Sequence, residues 1–161
     1  MRSRTAVWFE AKIRYEKTME DGMPKKVIET YVVDALSFGE AENRIMKEMS
    51  SYVSGELEIV DLKIAQYKEV FFADSDLSDK WYKAKMVFLT IDEKTDKEKK
   101  SSVFYLVNAG NISSAIKSVD EIMSGSMIDY LTYNLGETKI MDVFEYKKKN
   151  KQENVEPDMN D

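Results

Sequence analysis

Two stretches of the chain place a tryptophan beside positive charge on what reads as a β-strand. They are WFEAKIRY at residues 8–15 and WYKAKMVF at residues 81–88, and they contain both tryptophans of the sequence. Successive side chains of a strand point to opposite faces. The residues predicted to share one face are Trp8, Glu10, Lys12 and Arg14 in the first strand and Trp81, Lys83, Lys85 and Val87 in the second. The two tryptophans and the four cations among them are the predicted site residues. A ring beside cations can stack a nucleobase while the cations contact phosphate, so this pattern predicts a site for single-stranded nucleic acid.

The same pattern has a purely structural interpretation. The opposite face of each strand is apolar and is expected to lie under a helix, with Phe9 and Ile13 in one strand and Tyr82 and Met86 in the other. If two such sheets pack face to face, or if two copies of the chain form a homodimer, the tryptophans become buried anchors. The lysines would then extend along the rim with their charged ends in water.

Histidine and cysteine are both absent from the sequence, and this bears on the expected function. Histidine is the usual general base and the commonest metal ligand, while cysteine supplies thiolate nucleophiles, thiolate metal sites and disulfides. We therefore expect no enzymatic activity, no metal site and no cofactor. The formal net charge of −6 weighs against nucleic acid binding, although the local arrangement of charge is what meets a phosphate.

The hydrophobic residues are distributed as in a globular domain rather than a membrane protein. No apolar run reaches the roughly 18 residues that a membrane-spanning helix needs. The first residues also lack the apolar segment of an export signal. Together with the absence of cysteine, these features predict a cytoplasmic protein that does not bind membranes.

The tryptophan strands belong to an internal duplication. YVVDALSFGEA at residues 31–41 corresponds to YLVNAGNISSA at residues 105–115, and the offset grows from 73 residues at the tryptophans to 74 here. Further along, Lys63-Ile64 matches Lys139-Ile140 at an offset of 76. These matches predict two repeats of one structural unit.

Each repeat is expected to contain two strands, a helix and a third strand. Ser37 and Asn111 stand where a helix N-cap is expected, because their side chains can accept hydrogen bonds from the first helical amides. The predicted fold class is α+β, a duplicated ββαβ unit that forms two mixed, mainly antiparallel sheets, each with one helix. The predicted organisation is a first repeat at 5–72, a linker at 73–80, a second repeat at 81–146 and a flexible charged tail at 147–161.

The quoted strands, together with VVDALSFGEAE and SMIDYLTYNLGETKIMDVFEY, resemble an uncharacterised domain family of Bacteroidota and their phages. The resemblance covers roughly residues 5–146 and implies no catalytic residues. Two functions are expected on this basis. The first is sequence-tolerant binding of single-stranded nucleic acid, with DNA favoured by the phage setting; the alternative is a small protein–protein interaction module that acts as an adaptor or inhibitor.

Overall fold

A computed structural model describes residues 1–146; the predicted flexible tail lies outside these residues. The strands are β1 (Arg2–Arg4), β2 (Trp8–Thr18), β3 (Pro24–Asp34), β4 (Leu57–Ile64), β5 (Tyr67–Phe72), β6 (Lys80–Ile91), β7 (Glu98–Ala109), β8 (Asp129–Glu137) and β9 (Ile140–Phe144), and the helices are α1 (Phe38–Met49) and α2 (Ile112–Met123). They form a five-stranded sheet in the order β1-β5-β7-β6-β8 and a four-stranded sheet in the order β4-β2-β3-β9. The predicted α+β class with two mixed sheets is confirmed.

Both helices begin at the predicted caps. The Ser37 hydroxyl accepts a hydrogen bond from the Glu40 amide at 3.1 Å, and the Asn111 side chain accepts one from the Ser114 amide at 2.9 Å. These contacts satisfy backbone N–H groups that a helix start otherwise leaves open. Within residues 1–146, no helix has the length and apolar character needed to span a membrane.

Each helix covers the apolar face of its own repeat's first two strands. In the four-stranded sheet, α1 places Ala41, Ile45 and Met49 against Phe9 and Ile13, and all five side chains are buried. In the five-stranded sheet, Val119 and Met123 of α2 pack against Ala84 and Met86 in the same way. The prediction that the apolar face of each tryptophan strand lies under the helix is therefore confirmed.

The predicted third strand of the first repeat is in fact two strands, β4 and β5. In the second repeat the predicted third strand corresponds to β9, and the preceding strand β8 was not predicted. The last two strands of each repeat join different sheets. In the first repeat, β4 pairs antiparallel with β2, whereas β5 crosses to the other sheet and pairs parallel with β7. In the second repeat, β8 pairs antiparallel with β6, whereas β9 pairs parallel with β3. Each repeat is thus ββαββ, and the repeats exchange their last strands.

The strand pairing also corrects the alignment of the two repeats. Ile64 lies opposite Phe9 and Glu137 lies opposite Tyr82, so β4 and β8 correspond at an offset of 73 residues (137 − 64 and 82 − 9). The match of Lys63-Ile64 with Lys139-Ile140 at an offset of 76 was therefore wrong. The connection after the second helix is one residue shorter than the first, not longer.

The two sheets pack face to face on the sides that the helices leave uncovered. The buried side chains between them are Trp8, Val32, Tyr67, Val70, Trp81, Leu106, Ile140 and Val143. Strands of both repeats contribute to this cluster, which we call the central core. It covers only part of each sheet face, and the remainder of each face includes exposed side chains such as Lys12 and Lys83.

Candidate functional site

The two tryptophans lie in the central core and are closed to solvent. Trp8 is 1% exposed and Trp81 is 4% exposed, and the Trp81 ring meets the Phe72 ring edge-on, with centroids 5.5 Å apart. The predicted open-face stacking role of Trp8 and Trp81 is therefore wrong for this structure. The physical reason is the face-to-face packing of the sheets, which buries both rings within one chain and needs no dimer.

The cations predicted beside Trp8 lie on the exposed remainder of the four-stranded sheet. The Arg14 guanidinium pairs with the Glu58 carboxylate at 2.7 Å, and the Lys63 ammonium pairs with the Glu10 carboxylate at 3.4 Å. Lys12 is exposed on the same face. Because carboxylates alternate with the cations here, this face carries little net positive charge for a phosphate.

The cations predicted beside Trp81 have different surroundings. The Lys83 ammonium lies 4.5 Å from the centre of the Phe104 ring, and the Lys85 ammonium lies 4.8 Å from the centre of the Tyr133 ring. Among the ion pairs formed within residues 1–146, none includes Lys83 or Lys85. An ammonium over a ring is held by the ring's quadrupole and keeps its charge uncompensated.

The duplication allows the two faces to be compared position by position. In the four-stranded sheet, Arg14 and Glu58 are cross-strand partners and form an ion pair. The equivalent partners in the five-stranded sheet are Val87 and Leu131, which are both aliphatic. The backbone pairing is the same, so the fold does not require this difference in side chains.

At two further pairs of equivalent positions, the second repeat is again less acidic or more apolar than the first. Glu10 of the first repeat is replaced by Lys83 in the second, since each stands two residues after its tryptophan. Thr30, which pairs with Lys12, is replaced by Phe104, which pairs with Lys85. The second repeat has thus exchanged a carboxylate for a cation and a hydroxyl for an aromatic ring.

These side chains form one surface on β6, β7 and β8. We call it the lysine–aromatic face; it consists of the exposed or half-buried side chains of Lys83, Lys85, Phe104, Leu131 and Tyr133 around the buried Val87. Tyr133 is 67% exposed and Leu131 is 53% exposed, so ring and aliphatic groups are accessible beside the two ammonium groups. Lys83 also lies 6.0 Å from the ring of Tyr67 at the boundary of the central core. Burial raises the pKa of Tyr67, and the nearby Glu10 carboxylate raises it further.

Of the six predicted site residues, the structure thus brings Lys83 and Lys85 together in one face. It buries Trp8 and Trp81 and places Lys12 and Arg14 on the other sheet. The sequence analysis did not single out Tyr133, because it did not predict β8. Tyr133 is the extra residue of a β-bulge between the positions opposite Lys85 and Met86, and this bulge interrupts the alternation that marks a strand.

The described part of the chain offers no group of three or more carboxylate, histidine or cysteine side chains arranged to hold a metal ion. The described arrangement can bind anions and aromatic or apolar groups by surface contact. The absence of enzymatic activity stays a prediction.

The fold and the face together define an internally duplicated α+β protein with exchanged strands and one open, cationic and aromatic sheet face. The family described as "Domain of unknown function (DUF4494)" matches residues 7–146, and the chain belongs to this family. The expected membership of an uncharacterised family is confirmed. No curated protein and no solved structure matches the chain.

Proposed function

We propose that the protein is a sequence-tolerant binder of single-stranded nucleic acid and that the lysine–aromatic face is its binding surface. The observation that carries the proposal is the pair of ammonium groups of Lys83 and Lys85, which lie over aromatic rings without a carboxylate partner among residues 1–146. Exposed Tyr133 offers a ring on which any base can stack, and the lysines attract the adjoining phosphates. Trp8 and Trp81 have no contact with the ligand in this proposal.

The net negative charge of the molecule favours nucleic acid binding that is limited to one surface. With a formal net charge of −6, the molecule as a whole repels a phosphate backbone, so binding is expected where cations without an ion pair lie beside exposed rings, as on this face. The family resemblance to proteins of Bacteroidota and their phages favours DNA as the ligand. The sequence argument for a cytoplasmic location agrees with access to nucleic acid.

The expected affinity is modest, because the face is small. One stacked base contributes about 1–3 kcal/mol. Two phosphate contacts on a single strand imply that the binding constant falls about sevenfold between roughly 50 and 200 mM salt. A weak but clearly salt-dependent interaction is therefore expected.

The experiment is an anisotropy titration of a labelled oligo-dT with the protein at these two salt concentrations. We expect Tyr133→Ala, and separately Lys83→Ala combined with Lys85→Ala, to weaken binding at least tenfold. The matched control for Tyr133→Ala is the single variant Val60→Ala. The matched control for the two lysines is Lys12→Ala combined with Arg14→Ala. Both controls alter the other sheet at or beside the equivalent positions, and they should leave binding unchanged. The proposal would be refuted if the anisotropy does not change when the protein is added, or if the controls lose as much affinity as the variants of the lysine–aromatic face.

A second function, a protein–protein interaction module, is favoured by the aliphatic part of the same face. Leu131 is 53% exposed and Ile91, further along β6, is 71% exposed, and apolar side chains around a tyrosine are typical of protein interfaces. Light scattering on the purified protein tests the homodimeric form of this alternative. A dimer that Leu131→Glu dissociates, without oligo-dT binding by the monomer, would favour it over nucleic acid binding.

A further inference from the structure

The end of the sequence carries a charge pattern that complements the lysine–aromatic face. Four acidic side chains fall within residues 153–161, namely Glu153, Glu156, Asp158 and Asp161, and no lysine or arginine lies among them. The preceding residues 147–151 hold four lysines. An acidic segment therefore stands at a fixed distance along the chain from the last described strand.

The lysine–aromatic face is the natural counterpart of such a segment. Arg2, Arg4, Arg14 and Arg44 each pair with a carboxylate within residues 1–146. Lys83 and Lys85 form no such pair within these residues, as is also true of other lysines such as Lys99 and Lys100, but they lie together beside aromatic rings. A carboxylate brought to this surface gains the Coulomb attraction of two ammonium groups without displacing an existing ion pair.

The chain is long enough for the acidic segment to reach this face. Strand β9 starts beside Trp81, whose carbonyl oxygen accepts a hydrogen bond from the Thr138 amide at 2.8 Å. Tyr146 lies eight positions further along the chain, about 26 Å away for an extended strand. Lys83 follows Trp81 by two residues on the same strand, a distance of about 7 Å. Glu153 follows Tyr146 by seven positions and Asp161 by fifteen, so an extended chain from Tyr146 spans about 23–25 Å to Glu153 and about 50–54 Å to Asp161. The second span exceeds the two strand distances together.

We propose that residues 153–161 bind the lysine–aromatic face of their own chain and compete there with nucleic acid. The competition rests on the proposed function, whereas the contact itself does not. Tethering gives the segment a local concentration that a free peptide lacks. A face that is about four-fifths occupied at low salt would weaken apparent nucleic acid affinity about fivefold, and salt would remove the effect by screening.

The test uses the full chain with Glu153→Gln, Glu156→Gln, Asp158→Asn and Asp161→Asn combined. The charge-matched control is Glu16→Gln, Glu20→Gln, Glu42→Gln and Glu56→Gln combined, since these side chains are exposed and lie elsewhere. We expect the first variant to bind oligo-dT about fivefold more tightly at low salt, with the difference vanishing at high salt. The control variant should gain much less affinity for oligo-dT than the tail variant.

A second measurement keeps the two proposals distinguishable. Backbone amide NMR shifts of Lys83, Lys85 and Tyr133 should differ between the wild type and the tail variant, but not between the wild type and the control. If both chains bind oligo-dT equally and these shifts coincide, the tail contact is refuted and the proposed function stands. If neither chain binds oligo-dT, the proposed function fails, and the amide shifts alone uphold or refute the tail contact.

Discussion

At the scale of single residues, the two repeats differ in how they stabilise a buried polar side chain at equivalent positions. Asp34 is the last residue of β3 and Asn108 is the last but one of β7, at equivalent positions, and both are buried. Each side-chain oxygen accepts a hydrogen bond from a backbone amide just after the exchanged strand, Tyr146 for Asp34 and Ala73 for Asn108. The Asp34 charge is balanced by Arg4 and Arg44. At the position equivalent to Arg44 the second repeat has Ser118, so the neutral asparagine there leaves no cation uncompensated.

The tryptophans lead to a prediction about stability. Trp8→Ala and Trp81→Ala should each lower the free energy of unfolding by about 3–5 kcal/mol, as expected for emptying a core position. Phe9→Ala, on the helix side, is the comparison and should cost a similar amount. Urea unfolding followed by circular dichroism measures all three. A tryptophan-to-alanine variant as stable as the wild type would contradict the burial of these rings.

The indole of Trp8 leads to a second prediction about stability. Within residues 1–146 its Nε1–H is buried without a hydrogen-bond acceptor, and such a group costs about 1–3 kcal/mol. Trp8→Phe removes this N–H while keeping most of the apolar ring. It should therefore cost less stability than the matched variant Trp81→Phe.

At the scale of elements, the four edge strands in the described part of the chain are each protected against pairing with another chain. Strands β4 and β8 carry bulges at equivalent places, at Val60 and Tyr133, and β1 is only three residues long. On β9, the Asp142 carboxylate accepts a hydrogen bond from the Val143 amide at 2.8 Å. Because bulges, short strands and local charges blunt sheet edges, a partner is expected at a sheet face rather than at an edge.

The edge of β9 gives a prediction with a defined pH dependence. Burial raises the pKa of Asp142, the Val143 amide opposes this, and Glu48 adds to it. A raised folded pKa means that the charged form disfavours folding, so stability falls as pH rises from below the unfolded value of about 3.9 through the folded value. Asp142→Asn keeps an acceptor for the amide without the charge. Because Asp142 is nevertheless exposed and water screens its charge, this variant should raise the melting temperature only slightly at pH 7.

The stabilisation by Asp142→Asn should shrink strongly near pH 3.5, where the wild-type carboxyl is mostly protonated in both states. Asp129→Asn, on exposed β8, serves as the control and should change the melting temperature little at either pH. Thermal unfolding at the two pH values measures the difference. An Asp142→Asn variant that is less stable than the wild type at pH 7 would show that the carboxylate is needed for more than its acceptor oxygen.

At the scale of the whole molecule, the exchange of β5 and β9 makes the two repeats interdependent. Strand β5 of the first repeat lies between β1 and β7, and β9 of the second repeat completes the sheet of the first. The connection between the repeats, residues 73–79, passes along the surface, and Asn108 donates hydrogen bonds to the Ser78 and Lys80 carbonyl oxygens there. The strand pairing does not require this connection to be intact.

A cut in this connection is therefore expected to leave the molecule assembled. A protease site placed between Ser75 and Asp76, which are both exposed, should yield two fragments that elute together at the size of the intact protein. The nicked protein should melt at a lower temperature that rises with concentration, because unfolding now separates two chains. Fragments that separate on a native size-exclusion column would contradict the exchanged topology.

The lysine–aromatic face could be predicted only in part from the sequence. Lys83 and Lys85 follow from strand alternation, which is local. Phe104 and Tyr133 join them only through strand pairing, because Phe104 lies opposite Lys85 and Tyr133 occupies a bulge. A bulge shifts the alternation by one residue, so the side chain that it adds cannot be assigned to a face from periodicity.

What the sequence alone determined are the features that depend on neighbours along the chain: the duplication, the strand and helix of each motif, the caps at Ser37 and Asn111, and the apolar face under each helix. The tertiary structure decided which sheet the last strand of each repeat enters and whether the tryptophan face is covered. Tyr67 lies beside Phe104 and Ile140 beside Thr30, pairs that are distant in sequence. The same tryptophan strand suits an open or a buried face, and only the contacts between the two sheets distinguish them.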